Sequence, residues 1–216
     1  MQRHLDLVAS IGAQTLNKRM SLRVPARAIA AVAQRLKDRG LDAGERFIVL
    51  HPGATAPSRR YPSEHFAAAA SELIARGHTV VLAGGADEKA LCANISAQCG
   101  SAPINLAGAS TLEELVALIA GAQLVICNNS GPAHIAAAVG TPVVDLYALT
   151  NPQHTPWQVP SRVLSHDVDC KYCYKSVCPE GHHRCLREIA PARVVAAALS
   201  LLAQETPVME DAVCTP

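Results

Sequence analysis

Residues 124–146 constrain the chain more than any other stretch. Leu124-Val125-Ile126-Cys127 is a short apolar run of strand type, and it ends in Asn128-Asn129-Ser130-Gly131, a turn. Pro132 then opens an apolar run that closes at Gly140, and a second strand-like run, Pro142 to Leu146, follows at once. Serine suits the N-cap, proline the first helical turn and glycine the position after the last turn. The segment therefore reads strand–turn–helix–strand, with free backbone N–H groups displayed at a helix N-terminus. Such an end attracts anions, phosphate above all. His134 falls in the first turn of that helix, where its side chain can reach the same anion. An ordinary βα turn has the same local pattern, so the rest of the chain must decide.

Half of the residues are hydrophobic but only 3% are aromatic. The core must then be built from Ala, Val, Leu and Ile, which suits helices packed closely on a parallel sheet. The 216 residues suffice for one domain or somewhat more. A net charge of +1 leaves neither a nucleic-acid footprint nor an acidic, disordered chain. No apolar run reaches the roughly 18–20 residues needed to span a bilayer. Met1-Gln2-Arg3-His4-Leu5-Asp6 has no signal-peptide core. The expected location is the cytoplasm.

Residues 1–44 read as an interdomain linker with one helix, over 26–39, opened by Pro25 and stopped by Gly40. From Arg46 strands and helices alternate. Strands are expected at 47–50, 79–83, 104–106, 124–127, 142–146 and 162–164. Helices are expected from Ser63 as cap to 76, over 86–99, from Thr111 to 120, from Pro132 to Gly140, and from Pro191 to about 203. Thr111-Leu112-Glu113-Glu114 is a capping box. Residues 205–216 read as a frayed tail. This alternation predicts a parallel sheet covered on both faces, with ligands at the carboxyl ends of its strands.

Three turns at that edge carry unusual chemistry. In the first, residues 51–62, Gly53 allows close approach to a ligand, Thr55 and Ser58 supply hydroxyls, and Arg59 and Arg60 supply forked, fixed positive charge suited to phosphate. In the second, Gly84-Gly85 lets a ligand lie against the backbone, and Asp87 and Glu88 stand where an acid often takes ribose hydroxyls. Acids are favoured in a first helical turn in any case. The third turn is 128–134. Together they describe a nucleotide-diphosphate site. Neither the NTPase phosphate loop nor the G-x-G-x-x-G hydride-transfer fingerprint is present.

His51-Pro52-Gly53-Ala54, the Tyr61-Pro62 ending, Gly84-Gly85-x-x-Glu88 and Asn129-Ser-Gly-Pro-x-His134-x-Ala-x-x-x-Gly140-x-Pro142 together resemble the C-terminal half of glycosyltransferase family 9, the ADP-heptose:lipopolysaccharide heptosyltransferases. The resemblance covers about 1–204, with 1–44 matching the linker between the family's two halves. It implies an α/β fold: a Rossmann-like, doubly wound parallel sheet, the C-terminal domain of a GT-B enzyme, with 45–204 as the nucleotide-sugar domain. It also implies an inverting transfer that needs no catalytic metal or other cofactor. Residue by residue, Thr55 and Arg59 fall where the family contacts donor phosphates, and Arg59 takes a position that is often lysine. Asn129, Ser130, Gly131 and His134 match the diphosphate turn, with Asn129 where many members have Asp. Glu88 is the nearest match for the ribose contact. The family's acceptor-binding half and its catalytic base have no counterpart here. A whole GT-B enzyme needs roughly 130–170 more residues by ordinary domain size. The expectation is an excised domain or truncated product that binds an ADP-heptose-type donor, carries no catalytic residue and transfers no sugar alone. The lipopolysaccharide core acceptor would meet the missing domain, and the full enzyme would touch the cytoplasmic face of the inner membrane. Rival readings are another sugar-nucleotide enzyme, such as a UDP-sugar 2-epimerase, or a non-catalytic nucleotide-binding or zinc-stabilised interaction module.

Cys170-x2-Cys173-x4-Cys178-x6-Cys185 lies in a loop over 166–187, with His166, His182 and His183 nearby. Without an export signal such a cluster reads as metal-binding or redox-active before it reads as a disulfide frame. Four thiolates can close a tetrahedral zinc site, and C-x2-C forms one edge of it. The remaining spacings are irregular for a zinc ribbon. Structural zinc, free or partly disulfide-linked thiols, and an iron–sulfur cluster all stay open. Family members often carry cysteines here.

Overall fold

The computed structural model describes residues 1–204; the tail expected at 205–216 lies outside them. Six strands form one sheet: β1 (Phe47–His51), β2 (Thr79–Leu82), β3 (Ile104–Asn105), β4 (Leu124–Asn128), β5 (Val143–Leu146) and β6 (Ser161–Leu164). Their order is β3-β2-β1-β4-β5-β6, and every pairing is parallel. The chain steps outward from β1 to β3, returns to β4 and runs out to β6. The switch point therefore falls between β1 and β4, where Leu50 pairs with Ile126 and His51 with Cys127. All residues of β1 and β4 are buried, as strands covered on both faces must be.

Eight helices accompany the sheet among the described residues: α1 (Gln2–Ala9), α2 (Ala26–Lys37), α3 (Ser63–Ala75), α4 (Lys89–Gln98), α5 (Leu112–Gly121), α6 (Gly131–Val139), α7 (Arg184–Arg187) and α8 (Pro191–Leu202). On one face Phe66 and Leu73 of α3, Ile95 of α4 and Val194 and Leu201 of α8 pack on Ile48, Leu50, Leu124 and Ile126. On the other, Leu118 of α5, Ala133 and Ala136 of α6 and Val32 and Leu36 of α2 pack on Val49, Val81, Val125 and Val143. Alanines at these contacts replace the aromatic bulk the composition lacks.

Several local readings need correction. Residues 1–44 hold two helices, not one. The first, α1, buries none of its residues, so no core stripe marks it in the sequence. The second, α2, is tied into the domain: Arg27 pairs with Glu113 at 2.9 Å, Arg35 with Glu114 at 2.8 Å, and Ala28, Val32 and Leu36 enter the core. Ser63 does not cap α3. Pro62 holds the cap position, and the Ser63 hydroxyl donates to Glu64. The helix expected over 86–99 begins as a 3-10 turn, Ala86–Glu88, before α4. The short α7 was not expected. The Thr111 capping box is present: its hydroxyl accepts from Glu114 N–H at 3.3 Å while Glu114 accepts from Thr111 N–H at 2.7 Å. Gly140 closes α6 with φ +85°, a left-handed conformation that favours glycine.

Candidate functional site

The three turns leave the carboxyl ends of adjacent strands β2, β1 and β4. Asn128, buried at the end of β4, stitches two of them together. Its Oδ1 accepts from Tyr61 N–H at 2.9 Å and its Nδ2 donates to the Pro52 carbonyl at 2.7 Å. Sequence reasoning passed over Asn128; the only signal was a polar residue at the end of a fully buried strand. Ser130 stands at the N-cap of α6, but its hydroxyl bonds no helix N–H. It donates to the Asn128 carbonyl at 3.2 Å and lies 3.5 Å from that of Gly53. The N-terminus of α6 is thus left without a side-chain cap, and its dipole faces outward.

Glu88 bridges the first and second turns. Its Oε2 accepts from Gly85 N–H at 2.7 Å and lies 3.7 Å from His51 Nε2. A Cβ on Gly53 would stand 1.4 Å from Glu88 Oε1. The glycine is needed for this close approach, and Glu88 fills the space. Burial pushes the His51 imidazole below its ordinary range, and Glu88 opposes that shift.

A cavity of about 410 Å3 opens between the first and third turns, lined by Thr55, Pro57, Arg59, Ser130, Gly131 and Ser176 among others. Here the structure brings together four of the expected residues: Thr55, Arg59, Ser130 and Gly131. Arg59 Nε is buried with no hydrogen-bond partner among the described residues. A donor in that state needs a partner. Arg60 is committed elsewhere, donating to the Ala54 carbonyl at 2.8 Å. Glu88, Asn129 and His134 are not in this lining. Asn129 is buried, its Oδ1 3.4 Å from Ala148 N–H. His134 is exposed on the first turn of α6. Partial desolvation and then His154 hold its imidazole below the usual histidine range. Ser176 was not expected. It arrives from the cysteine loop, where its carbonyl accepts from Ser58 N–H at 3.0 Å and the Lys175 carbonyl accepts from Ser58 Oγ at 2.8 Å.

A larger cavity, about 500 Å3, lies between α1 and residues 13–18. Its charged lining residues are Asp6 and Lys18, of opposite sign, which does not make an anion site. The basic and hydroxyl-bearing lining is that of the cavity at the switch point, with Arg59, Thr55 and Ser130. Asp145 on β5, beside Cys127 on β4, is a second residue that sequence reasoning missed. It is fully buried, neither of its oxygens has a partner among the described residues, and burial raises its carboxyl to about 8.

Cys170, Cys173, Cys178 and Cys185 line one small cavity of about 20 Å3, together with His182 and His183. All four are free thiols, and Cys170 Sγ lies 3.7 Å from His182 Nε2. Among the described residues no three His, Cys, Asp or Glu donors converge closely enough to hold a metal ion. His166 turns away to pair with Glu188 at 2.8 Å.

A parallel sheet with this strand order, whose switch-point turns gather an unpartnered arginine, hydroxyls and an uncapped helix N-terminus, defines a Rossmann-like α/β domain with an anion-ready site. The chain belongs to glycosyltransferase family 9, the heptosyltransferases, whose model matches residues 2–184. Lipopolysaccharide heptosyltransferase 2 of Salmonella typhimurium is 35% identical over 174 residues, 78% of this chain and 50% of that protein. The crystal structure of a family 9 glycosyl transferase from Veillonella parvula superposes with a TM-score of 0.84 at 26% identity, covering 94% of this chain and 59% of that one. The structure of Escherichia coli ADP-heptose lps heptosyltransferase II gives a TM-score of 0.70 at 31% identity, covering 86% and 54%. The chain spans about half the length of the curated relatives it matches. No described helix is long and apolar enough to cross a membrane.

Proposed function

We propose that this domain is the donor-binding half of a GT-B glycosyltransferase that moves heptose from an ADP-heptose-type nucleotide sugar to the lipopolysaccharide inner core. The observation that carries the reading is Arg59: a buried guanidinium nitrogen without a partner, in the wall of a cavity shared with the uncapped N-terminus of α6. The names of the heptosyltransferase relatives support the choice of sugar and acceptor.

On this reading Thr55, Arg59, Ser130 and Gly131 take the diphosphate, His134 adds a hydrogen bond from the first turn of α6, and Glu88 takes the ribose hydroxyls. Asn129 contributes hydrogen bonding only. Breaking the bond between the sugar and the diphosphate leaves negative charge on the leaving phosphate. Arg59 and the α6 dipole stabilise that charge where it develops, the part a metal ion plays in other transferases. The acceptor hydroxyl attacks from the opposite face, so configuration inverts. The base that takes its proton lies in an acceptor-binding domain outside these residues, and the acceptor meets that domain at the cytoplasmic face of the inner membrane. The 216 residues therefore bind donor and transfer no sugar by themselves.

The test is transfer of heptose from ADP-heptose to a lipid acceptor. The isolated chain should give no turnover, and adding an acceptor-binding domain of the family should produce it. Turnover by the chain alone contradicts the division of labour.

A further inference from the structure

We propose that residues 172–176 form a strap at the switch point, and that the Ser176 hydroxyl binds the outer phosphate of a nucleoside diphosphate donor, the one that carries the sugar. Ser58 acts behind it as a positioning residue. The inference deepens the donor-site reading above and rests on it.

The strap is pinned at both ends. Tyr172 N–H donates to the Leu149 carbonyl at 2.6 Å and Tyr174 N–H to the Thr150 carbonyl at 2.9 Å, in the loop after β5. Further on, the Lys175 carbonyl accepts from Ser58 Oγ at 2.8 Å and the Ser176 carbonyl from Ser58 N–H at 3.0 Å, in the turn after β1. Strands β1 and β5 are the two neighbours of β4. The segment therefore bridges the loops on either side of β4, and Ser130-Gly131, in the turn after β4, lines the same cavity as Ser176.

The strap holds this course against its own backbone preference. Tyr172 and Tyr174 have φ of 62° and 57°, in the left-handed region that non-glycine residues rarely adopt. Such conformations persist where surrounding contacts over-determine them, and they gather at ligand sites. The two side chains are 47% and 62% exposed, so apolar packing does not impose the shape. The bonds to Leu149, Thr150 and Ser58 do. Ser58 is buried and commits both its N–H and its hydroxyl to the strap.

The order of the strands assigns the part of the donor that Ser176 meets. Glu88, read as the ribose contact, stands in the turn after β2; Thr55 and Arg59 follow β1, Ser130 and Gly131 follow β4, and the strap comes from the β5 side. A donor laid along this edge with its ribose at β2 has its inner phosphate nearer β1 and its outer phosphate toward β4 and β5. Among the described residues that line the cavity, Ser176 alone comes from outside the first and third turns. It is exposed, and backbone atoms hold it in place, so its hydroxyl is available to donate to a phosphate oxygen. The unpartnered, buried Arg59 Nε belongs to the same lining. A hydroxyl on that wall meets the phosphate on which negative charge develops as the sugar leaves.

The experiment titrates the full chain by calorimetry with ADP and with AMP, which lacks the outer phosphate. Ser176→Ala should weaken ADP binding about tenfold or more, as for a lost hydrogen bond to a charged group, and leave AMP affinity unchanged. Ser58→Ala should also lower the affinity for ADP relative to AMP, with an unchanged circular dichroism spectrum. ADP binding by Ser176→Ala equal to that of the parent overturns the phosphate contact and leaves the donor reading standing. An equal loss for ADP and AMP overturns it as well. A Ser58→Ala variant with the parent's ratio of ADP to AMP affinity overturns the positioning role. If the folded parent binds neither nucleotide, the donor reading falls and this inference falls with it.

Discussion

The Glu88 carboxylate occupies the space in which a side chain on Gly53 would stand: a Cβ there would be 1.4 Å from Oε1 and 2.0 Å from Cδ. The carboxylate cannot swing away freely, because it accepts from Gly85 N–H and lies beside His51. Gly53→Ala should therefore displace Glu88 while the sheet stays folded. We expect Gly53→Ala and Glu88→Ala each to weaken ADP binding by roughly 1.5–3 kcal/mol, the cost of a hydrogen bond to a charged group. The double variant should be little worse than either, since both remove one contact. Calorimetric titration of the three variants checks this; additive losses would separate the two residues.

Arg59 and Arg60 are adjacent but differ in commitment. Arg60 holds the Ala54 carbonyl, whereas Arg59 leaves a buried donor unpaired. Arg59→Ala should cost ADP binding roughly 1.5–3 kcal/mol with no loss of thermal stability. Arg60→Ala should act mainly through loop order, and its effect on affinity should be smaller. Affinity and melting temperature, measured on the same samples, distinguish the two.

His134 is exposed on α6. His134→Ala should leave the melting temperature nearly unchanged and weaken ADP binding by roughly 1.5–3 kcal/mol. A collapse of stability with affinity retained would make it a packing residue.

Asp145 gives a pH dependence whose sign follows from its burial. The folded chain keeps its proton up to about pH 8, while the unfolded chain releases it near the ordinary value of about 3.9. Below that value both states are protonated and Asp145 adds no pH-dependent cost. Between the two values only the unfolded state ionises, so stability falls as pH rises, by up to about 1.4 kcal/mol per unit. Asp145→Asn should match the parent near pH 4 and melt higher at pH 8. Parallel pH profiles for the two proteins would show that Asp145 does not set this slope.

Patterns that repeat along the chain were legible; contacts that close across it were not. The apolar runs of β1, β2, β4 and β5 and the glycines after α3 and α6 fixed the alternating fold. Thr111 and Glu114 announced their own cap. The turn before α6 was visible because Pro132 and Gly140 bracket that helix. Asn128 escaped because its bonds reach Pro52 and Tyr61, 76 and 67 residues away. Ser176 escaped because nothing local says that the cysteine loop folds back onto Ser58. For α1, with no buried face, there was no stripe to read.

Calorimetric titration of the full chain with ADP, UDP and GDP tests the central claim most directly. The donor-site account predicts a weak but saturable ADP isotherm at one site per chain, tighter than for UDP or GDP and abolished or greatly weakened by Arg59→Ala. No binding of any nucleoside diphosphate by folded protein, or ADP binding indifferent to Arg59, would contradict it.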